Sequence, residues 1–484
     1  MKLKNVRIKN FRGIGELETT IDLSDFNIFI GDNGTCKTTI LEAINLCLSP
    51  GYTASRFDIN DFNIGTTEDI EISIEFDQSF NAILPDGFAK QSVPCNKISL
   101  IAKKRKIATP GKAFSDLVTT THFAVPMAKR GENGWTQKRK TSERDFEFTE
   151  RHLSITNIDV ELPRIFYFPK NRTRQLTKGF NSSFTNIIND LNWRFEKTQR
   201  DKPDEEHFKH HRKSLHEIII SETGGDTIKK TVDATNKILD KLGINPISIS
   251  VLKTLSPYDN SEIVFSFDGF ELPIEHGGSG IEMIIALSLL ESMAKISKEQ
   301  IILLIDEPEL HLHPKLQWKL FDHLKSTTPE IQIVASTHSP ILFKNMYLEN
   351  STKLLMTKMT DERLSVTDAK SIGFGLLKWS PSWGEICYFA YDLPTIEFHA
   401  DLYSALQDRE NKGNVADIEK WFITEKGFTP DIKWKNSSGL EKSETLMTYI
   451  RNRMHHGDNQ NRPMYTLDQL RTSIEQMIDL LKIP

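Results

Sequence analysis

The sequence predicts an α/β fold followed by a helical C-terminal block, and three observations carry that expectation. A short apolar strand at 26–30 runs into the Gly-rich turn Gly31-Asp32-Asn33-Gly34-Thr35-Cys36-Lys37-Thr38 and on into a helix. Two further apolar runs, at 301–305 and 333–335, end on polar residues within a β/α pattern spanning 246–350. From 376 to 484 the apolar spacing is mostly helical, with breaks near Gly413, Gly427 and Gly457.

In chain order, Val6, Ile8 and Phe11 fall in a first strand, and the helix after the turn starts at Thr39 and is closed by Pro50 and Gly51. Residues 71–76 alternate as a half-buried strand does, and 95–150 read as strands joined by basic loops. Residues 181–242 are polar, charged and helical in period, with one break at Gly224-Gly225. That stretch is expected to insert two or three helices, too few residues for a long coiled-coil arm. The expected division is an N-terminal lobe at 1–180, a helical insertion at 181–245, a C-terminal lobe at 246–360 and a helical domain at 376–484.

Composition bounds the rest. The 484 residues are 38% hydrophobic and 26% charged, the balance of a folded soluble chain with room for two to four domains. A net charge of −5 argues against bulk attraction to polyanions and leaves only local patches for them. No apolar run approaches the roughly 18 residues of a membrane span, and the opening MKLKNVRIKNFRG has no apolar leader segment. Cys36, Cys47, Cys95 and Cys387 show no framework spacing. A cytoplasmic protein without a membrane partner is expected.

The turn fits GxxxxGK[ST], except that Cys36 stands where the second glycine is usual. Backbone N–H groups of such a turn cradle phosphates, helped by the dipole of the following helix. Gly31, Asn33, Gly34, Thr35, Cys36, Lys37, Thr38 and Thr39 are the residues expected around them. Lys37 would reach the β- and γ-phosphates of ATP and Thr38 would ligate Mg²⁺; the alternative is a Gly-rich turn that carries Lys-Thr by chance. Asp306 and Glu307 end an apolar strand, where Asp306 would hold the Mg²⁺ shell and Glu307 would polarise water, or the two would cap a helix. His338 follows another apolar strand and would touch the γ-phosphate. Ser279 and Gly280 open an apolar helix and form a second anion site. Both phosphate sites of one chain cannot reach one nucleotide, so a second copy is expected.

The ordered runs GDNGTCKT, GGSGIEM, LLIDEPELHLHP and ASTHSP resemble the ABC-type ATPase heads of SMC and DNA-repair proteins. They are more similar still to the single-chain ATPases of bacterial anti-phage systems and the overcoming-lysogenization-defect nucleases. KNFRGIGELE and Phe168-Pro169-Lys170-Asn171-Arg172 fit the same families, and the resemblance covers about 1–350. It implies a head-to-tail dimer in which Ser279 and Gly280 of one chain close over ATP on Lys37 of the other. Phe168 to Arg172 takes the place of a loop that usually offers a Gln to Mg²⁺, and no Gln stands at its centre. His311 and His313 look like a metal pair, with the dimer interface as the preferred reading.

The C-terminal domain carries Arg451, Asn452 and His456 in the spacing of HEPN domains, which it resembles. That resemblance implies a ribonuclease in which His456 moves a proton and Arg451 stabilises charge, or else a structural module. Residues 350–484 contain no Asp-x-Asp of the kind a TOPRIM nuclease needs. Glu397 and His399 read as packing residues. Lys103, Lys104, Arg105 and Lys106, with Lys138, Arg139 and Lys140 near Trp135, form a hairpin surface for nucleic acid or a solvated one. His207 and His211 are four apart on a polar stretch, with no further ligand to make a zinc site.

The resemblance to Septu, PARIS and retron-associated ATPases implies an ATP-hydrolysing scaffold or sensor that controls a separate nuclease subunit. An ATP-regulated HEPN ribonuclease is the second expectation and a DNA-repair ATPase the third. The short insertion argues against the third, because repair heads carry long coiled-coil arms.

Overall fold

The computed structural model describes residues 1–49, 57–83, 92–107, 115–127, 153–154, 159–160, 162–170, 188, 191–192, 223–250, 262–267, 270–274, 278–297, 300–326, 331–347, 349, 351–360, 363–371, 374–435, 439–455 and 463–482. Two sheets organise the first three quarters of the chain. One is antiparallel: β1 (Leu3–Lys9), β2 (Thr19–Asp22), β4 (Ile70–Ile83), β5 (Ser92–Ile107), β6 (Ser115–Pro126) and the short β7 (Leu153–Ser154) and β8 (Asp159–Val160). Its order is β2-β1-β4-β5-β6-β7, with β8 beside β4.

The other contains β3 (Phe26–Ile30), β9 (Arg164–Phe168), β13 (Ile301–Asp306), β14 (Ile331–Ser336), β15 (Thr352–Thr360) and β16 (Arg363–Asp368), ordered β16-β15-β3-β14-β13-β9. Five of these strands are parallel, and β16 pairs antiparallel at the edge. A parallel sheet must be covered on both faces, which is why β3, β13 and β14 read as continuous apolar runs and are buried at every position.

The pleat divides these residues between two cores. Phe29, Ile302, Leu304 and Val334 face helix α1 (Lys37–Cys47), whose Ile40, Leu41 and Ile44 also meet Val6, Ile8, Ile72 and Ile74 of the antiparallel sheet. Ile28, Ile30, Leu303, Ile305 and Ile333 face the opposite way. They pack with α2 (Thr223–Leu242), α3 (Ser279–Ser297), α4 (Pro314–Lys325) and α5 (Pro340–Tyr347). A small antiparallel sheet of β10 (Ile247–Ser250), β11 (Glu262–Phe267) and β12 (Phe270–Pro273) adjoins α2.

The C-terminal block has α6 (Trp383–Tyr391), α7 (Ile396–Arg409), α8 (Val415–Thr424), α9 (Leu446–His455) and α10 (Leu467–Lys482) around a third core that includes Phe398, Leu402, Trp421, Phe422, Ile450 and Met477. Helix α6 starts on a capping box in which Ser382 and Glu385 accept from each other's backbone N–H. It joins the cores: Ile386 and Ala390 belong to the large one, while Phe389 packs on the third. A chain of rings, Phe343–Phe374–Phe389–Phe398, links α5 to α7 with centroids 5.3, 5.5 and 5.9 Å apart.

Several elements differ from the sequence expectation. The first 50 residues contain an additional strand, β2, and Phe11 lies beyond β1 in an isolated bridge to Phe62. Gly224 and Gly225 stand in the first turn of α2, so they sit at a helix start and not inside one. The C-terminal block carries a hairpin, β17 (Ile432–Lys435) and β18 (Glu441–Glu444), that helical spacing did not suggest. Gly457 and the histidines at 207, 210, 211 and 216 lie outside the described residues. No helix among the described residues is long and apolar enough to cross a membrane.

Candidate functional site

The site forms where the parallel strands end. β3 delivers the turn 31–36, and β13 and β14, in register Asp306↔Ser336, deliver their polar ends beside it. Gly31 is required by both conformation and space: its φ is +148°, and a Cβ there would lie 2.3 Å from the Thr357 carbonyl oxygen of β15. Thr357 closes the floor, its hydroxyl donating to the Ile30 carbonyl at 3.0 Å and lying 2.7 Å from the Thr35 hydroxyl. Thr35 in turn donates to the Asp32 carbonyl at 2.8 Å, and the exposed Asn33 donates its backbone N–H to the Asp32 carboxylate at 2.6 Å.

Cys36 is the N-cap of α1, with φ 63° in the left-handed region and no side-chain cap bond. Its Sγ points at Gly13, where an added Cβ would lie 2.7 Å away. Burial pushes the thiol up, opposed by a hydrogen bond with Thr39 and the charge of Lys37. Because the cap offers no oxygen and the first turn holds no acid, the N-terminal N–H groups of α1 and its dipole are open to an anion.

Lys37 is buried and its Nζ donates to the carbonyls of Gly31 at 2.9 Å and Asp32 at 2.7 Å. Burial lowers its ammonium to about 8, against the opposing pull of Glu307, Asp306 and Asp32. Thr38 donates to Asp306 Oδ2 at 2.8 Å, and Ser336 donates to Asp306 Oδ1. Thr38 and Asp306 are hard oxygen donors in contact, a pair that fits Mg²⁺ beside the open helix terminus. Glu307 holds φ 49°, uncommon for a residue with a side chain, and its N–H donates to the Ser336 carbonyl at 3.1 Å. Its Oε1 accepts from Lys170 Nζ at 2.6 Å and stands 3.6 Å from His338 Nε2. Burial lowers the His338 imidazole, with the charge of Lys37 acting the same way. Glu309 is buried and fixes this histidine: its Oε1 accepts from the His338 N–H at 2.7 Å and the Thr337 hydroxyl at 2.8 Å.

The expected turn residues, Asp306, Glu307 and His338 therefore come together. Gly280 lies elsewhere, against the loop of the two exposed histidines: a Cβ on it would be 2.7 Å from the His311 carbonyl oxygen. His313 is the N-cap of α4, its Nδ1 accepting from the Lys315 N–H at 3.3 Å. Ser279 opens α3. In the C-terminal block, Arg451 donates to Asn452 at 3.1 Å and Asn452 to Glu444 at 3.2 Å, while His456 lies outside the described residues. Lys103 pairs with Asp69 at 2.7 Å and Lys104 covers the Phe62 ring at 4.5 Å; Lys138, Arg139 and Lys140 lie outside the described residues. Buried His399 shares a hydrogen bond with Ser473, as a packing residue should. Sequence reading missed the roles of Lys170, Ser336, Glu309 and Thr357; the first three fall inside runs it had singled out (Phe168 to Arg172, ASTHSP and LLIDEPELHLHP), and Thr357 had no signal.

The family described as an AAA ATPase domain matches residues 1–343. An OLD nuclease of Thermus scotoductus is 22% identical over 349 residues, which cover 70% of this chain and 59% of the nuclease's length. The protein described as the retron Vc95 probable ATPase of Vibrio cholerae is 23% identical, covering 78% of this chain and 75% of its own. Among solved structures, an SMC head bound to the C-terminal winged-helix domain of ScpA is 15% identical with a TM-score of 0.48, covering 77% of this chain and 99% of that one.

Proposed function

This chain belongs to the AAA ATPase domain family, and from that premise we propose that it is a nucleotide-gated subunit of a bacterial anti-phage defence complex, acting in the cytoplasm. The observation that carries the nucleotide reading is the meeting of Lys37, the Thr38–Asp306 pair and Glu307 at one uncapped helix terminus. Lys37 leaves the carbonyls of Gly31 and Asp32 for the β- and γ-phosphates of ATP. Thr38 and Asp306 hold magnesium, and Ser336 keeps the Asp306 carboxylate turned towards Thr38. Bound magnesium supplies positive charge against the phosphate oxygens. Glu307 orients and polarises the attacking water, and His338, held by Glu309, faces the terminal phosphate.

Ser279 and Gly280 act on the nucleotide of a second copy, in a head-to-tail dimer. The seating of Gly280 against His311 supports one shared interface made of the α3 terminus and the His311–His313 loop. The resemblance to Septu and retron-associated ATPases supports control of a separate nuclease subunit, and the relatives' names join such chains to nuclease and ATPase activities. The C-terminal block is read as a scaffold: Asn452 is held by Glu444, and Arg451 is held by Asn452, within their own chain. A ribonuclease at Arg451 and His456 would cut RNA in EDTA, and the scaffold reading expects no such cleavage.

Equilibrium binding of a fluorescent ATP analogue tests the nucleotide site. Lys37→Ala is expected to weaken binding roughly a hundred-fold or more, since a buried charge facing phosphates is lost. Affinity unchanged by Lys37→Ala would refute the assignment.

A further inference from the structure

Lys170 lies where the catalytic carboxylate is reached from solvent. β9 pairs with β13 in parallel register, Phe168 opposite Ile305. Lys170, two residues past the first, therefore stands level with Glu307, two residues past the second. Its Nζ is 2.6 Å from Glu307 Oε1, and the side chains differ in exposure, 51% for Lys170 against 7% for Glu307. The ammonium covers a buried carboxylate and remains in contact with water itself. It shares Glu307 Oε1 with His338, whose Nε2 stands 3.6 Å from the same oxygen. An ammonium on Oε1 stabilises the charged carboxylate and makes it a weaker base toward a water molecule.

We propose that Lys170 is a second phosphate-directed cation that exchanges partners, leaving Glu307 for the terminal phosphate of a bound nucleoside triphosphate and so freeing Glu307 for water. The inference rests on the nucleotide reading above and adds a role to a residue that reading does not use. The physical basis is a competition between two anions for one ammonium on a flexible stem. The carboxylate wins when no third phosphate is present. A terminal phosphate carries more charge and more acceptor oxygens, and wins when it is. A diphosphate leaves the Lys170–Glu307 pair closed, so the pair distinguishes triphosphate from diphosphate and keeps water activation off until the substrate is in place.

The test is equilibrium binding of a non-hydrolysable ATP analogue and of ADP, with Mg²⁺, to the full chain and to Lys170→Ala, Lys170→Arg, Glu307→Gln, Lys170→Ala/Glu307→Gln and Lys37→Ala. Lys170→Ala is expected to weaken the analogue roughly ten- to hundred-fold and to leave ADP affinity unchanged. Lys170→Arg is expected to recover most of the loss. Glu307→Gln removes the competing anion, so it should tighten analogue binding when Lys170 is present and leave it unchanged when Lys170 is alanine; that non-additivity reports the exchange itself. Equal loss of analogue and ADP in Lys170→Ala, or no loss of either, would overturn the proposal. Lys37→Ala separates the two readings: if it binds normally, the nucleotide site itself is misassigned, whereas if only Lys170→Ala is silent, the site stands and the exchange does not.

Discussion

Cys36 occupies a backbone position that ordinarily demands glycine. Left-handed φ costs a residue with a side chain roughly 1–2 kcal/mol, and the Sγ must also be housed. Gly13, 23 positions earlier, provides the space, since a Cβ there would lie 2.7 Å from that sulfur. Gly13→Ala is therefore expected to destabilise the head by about 1–3 kcal/mol, as overpacking does, and to weaken nucleotide binding. Cys36→Gly in the same chain should restore both, which thermal unfolding with and without nucleotide would measure. The motif itself was legible from spacing, and the fold brings Gly31, Lys37, Thr38, Asp306, Glu307 and His338 together. Its supports were not legible, because they depend on register. Ser336 reaches Asp306 only because β13 and β14 align Asp306 with Ser336, and Thr357 meets Gly31 only because β15 aligns Met356 with Ile30. Lys170 stands at the centre of a run whose family likeness pointed to a missing Gln, and its pairing with Glu307 depends on the register of β9 with β13.

At the scale of elements, the parallel strands were readable because burial on both faces demands apolar runs, while β2 and the β17–β18 hairpin were not. TTID and EKSE are short and mostly polar, and IKWK is only four residues long, so pairing with neighbours, more than hydrophobic pattern, makes them strands. The α6–α7 crossing was equally hidden: a Cβ on Gly384 would lie 2.5 Å from the Phe398 Cα, a contact set by packing alone. Within this block, α7 and α10 enclose His399, with Nε2 3.0 Å from the Ser473 hydroxyl and Nδ1 lacking a partner among the described residues. Burial lowers the imidazole from 6.5 to about 3. The unfolded ring gains a proton below 6.5 while the folded ring stays neutral until about 3. Stability from this group is therefore complete above 6.5 and is lost as pH falls across that window, by up to about 1.4 kcal/mol per pH unit. His399→Gln, which keeps a donor for Ser473 but does not titrate, should flatten that part of the dependence in chemical denaturation followed by tryptophan fluorescence. An unchanged slope would show that the ring does not set it.

Across the whole molecule, one continuous path runs from the site to the C-terminal block. Glu309 holds the His338 backbone, β14 leads into α5, and the rings from Phe343 to Phe398 carry packing from α5 through α6 to α7. This continuity fits a head that reports its nucleotide state to an attached scaffold, and it places the central claim on Glu307, the one residue meant to separate binding from turnover. The most direct measurement is ATP binding and hydrolysis by Glu307→Gln beside the unaltered chain, with sedimentation in ATP and in ADP. The amide keeps the shape of the side chain and loses the charge that polarises water. The variant is expected to bind ATP at least as tightly, to hydrolyse it about a hundred-fold more slowly or worse, and to accumulate a larger species in ATP but not in ADP. Hydrolysis at the unaltered rate, with sedimentation indifferent to nucleotide, would contradict both the role of Glu307 and the closing of two heads over ATP.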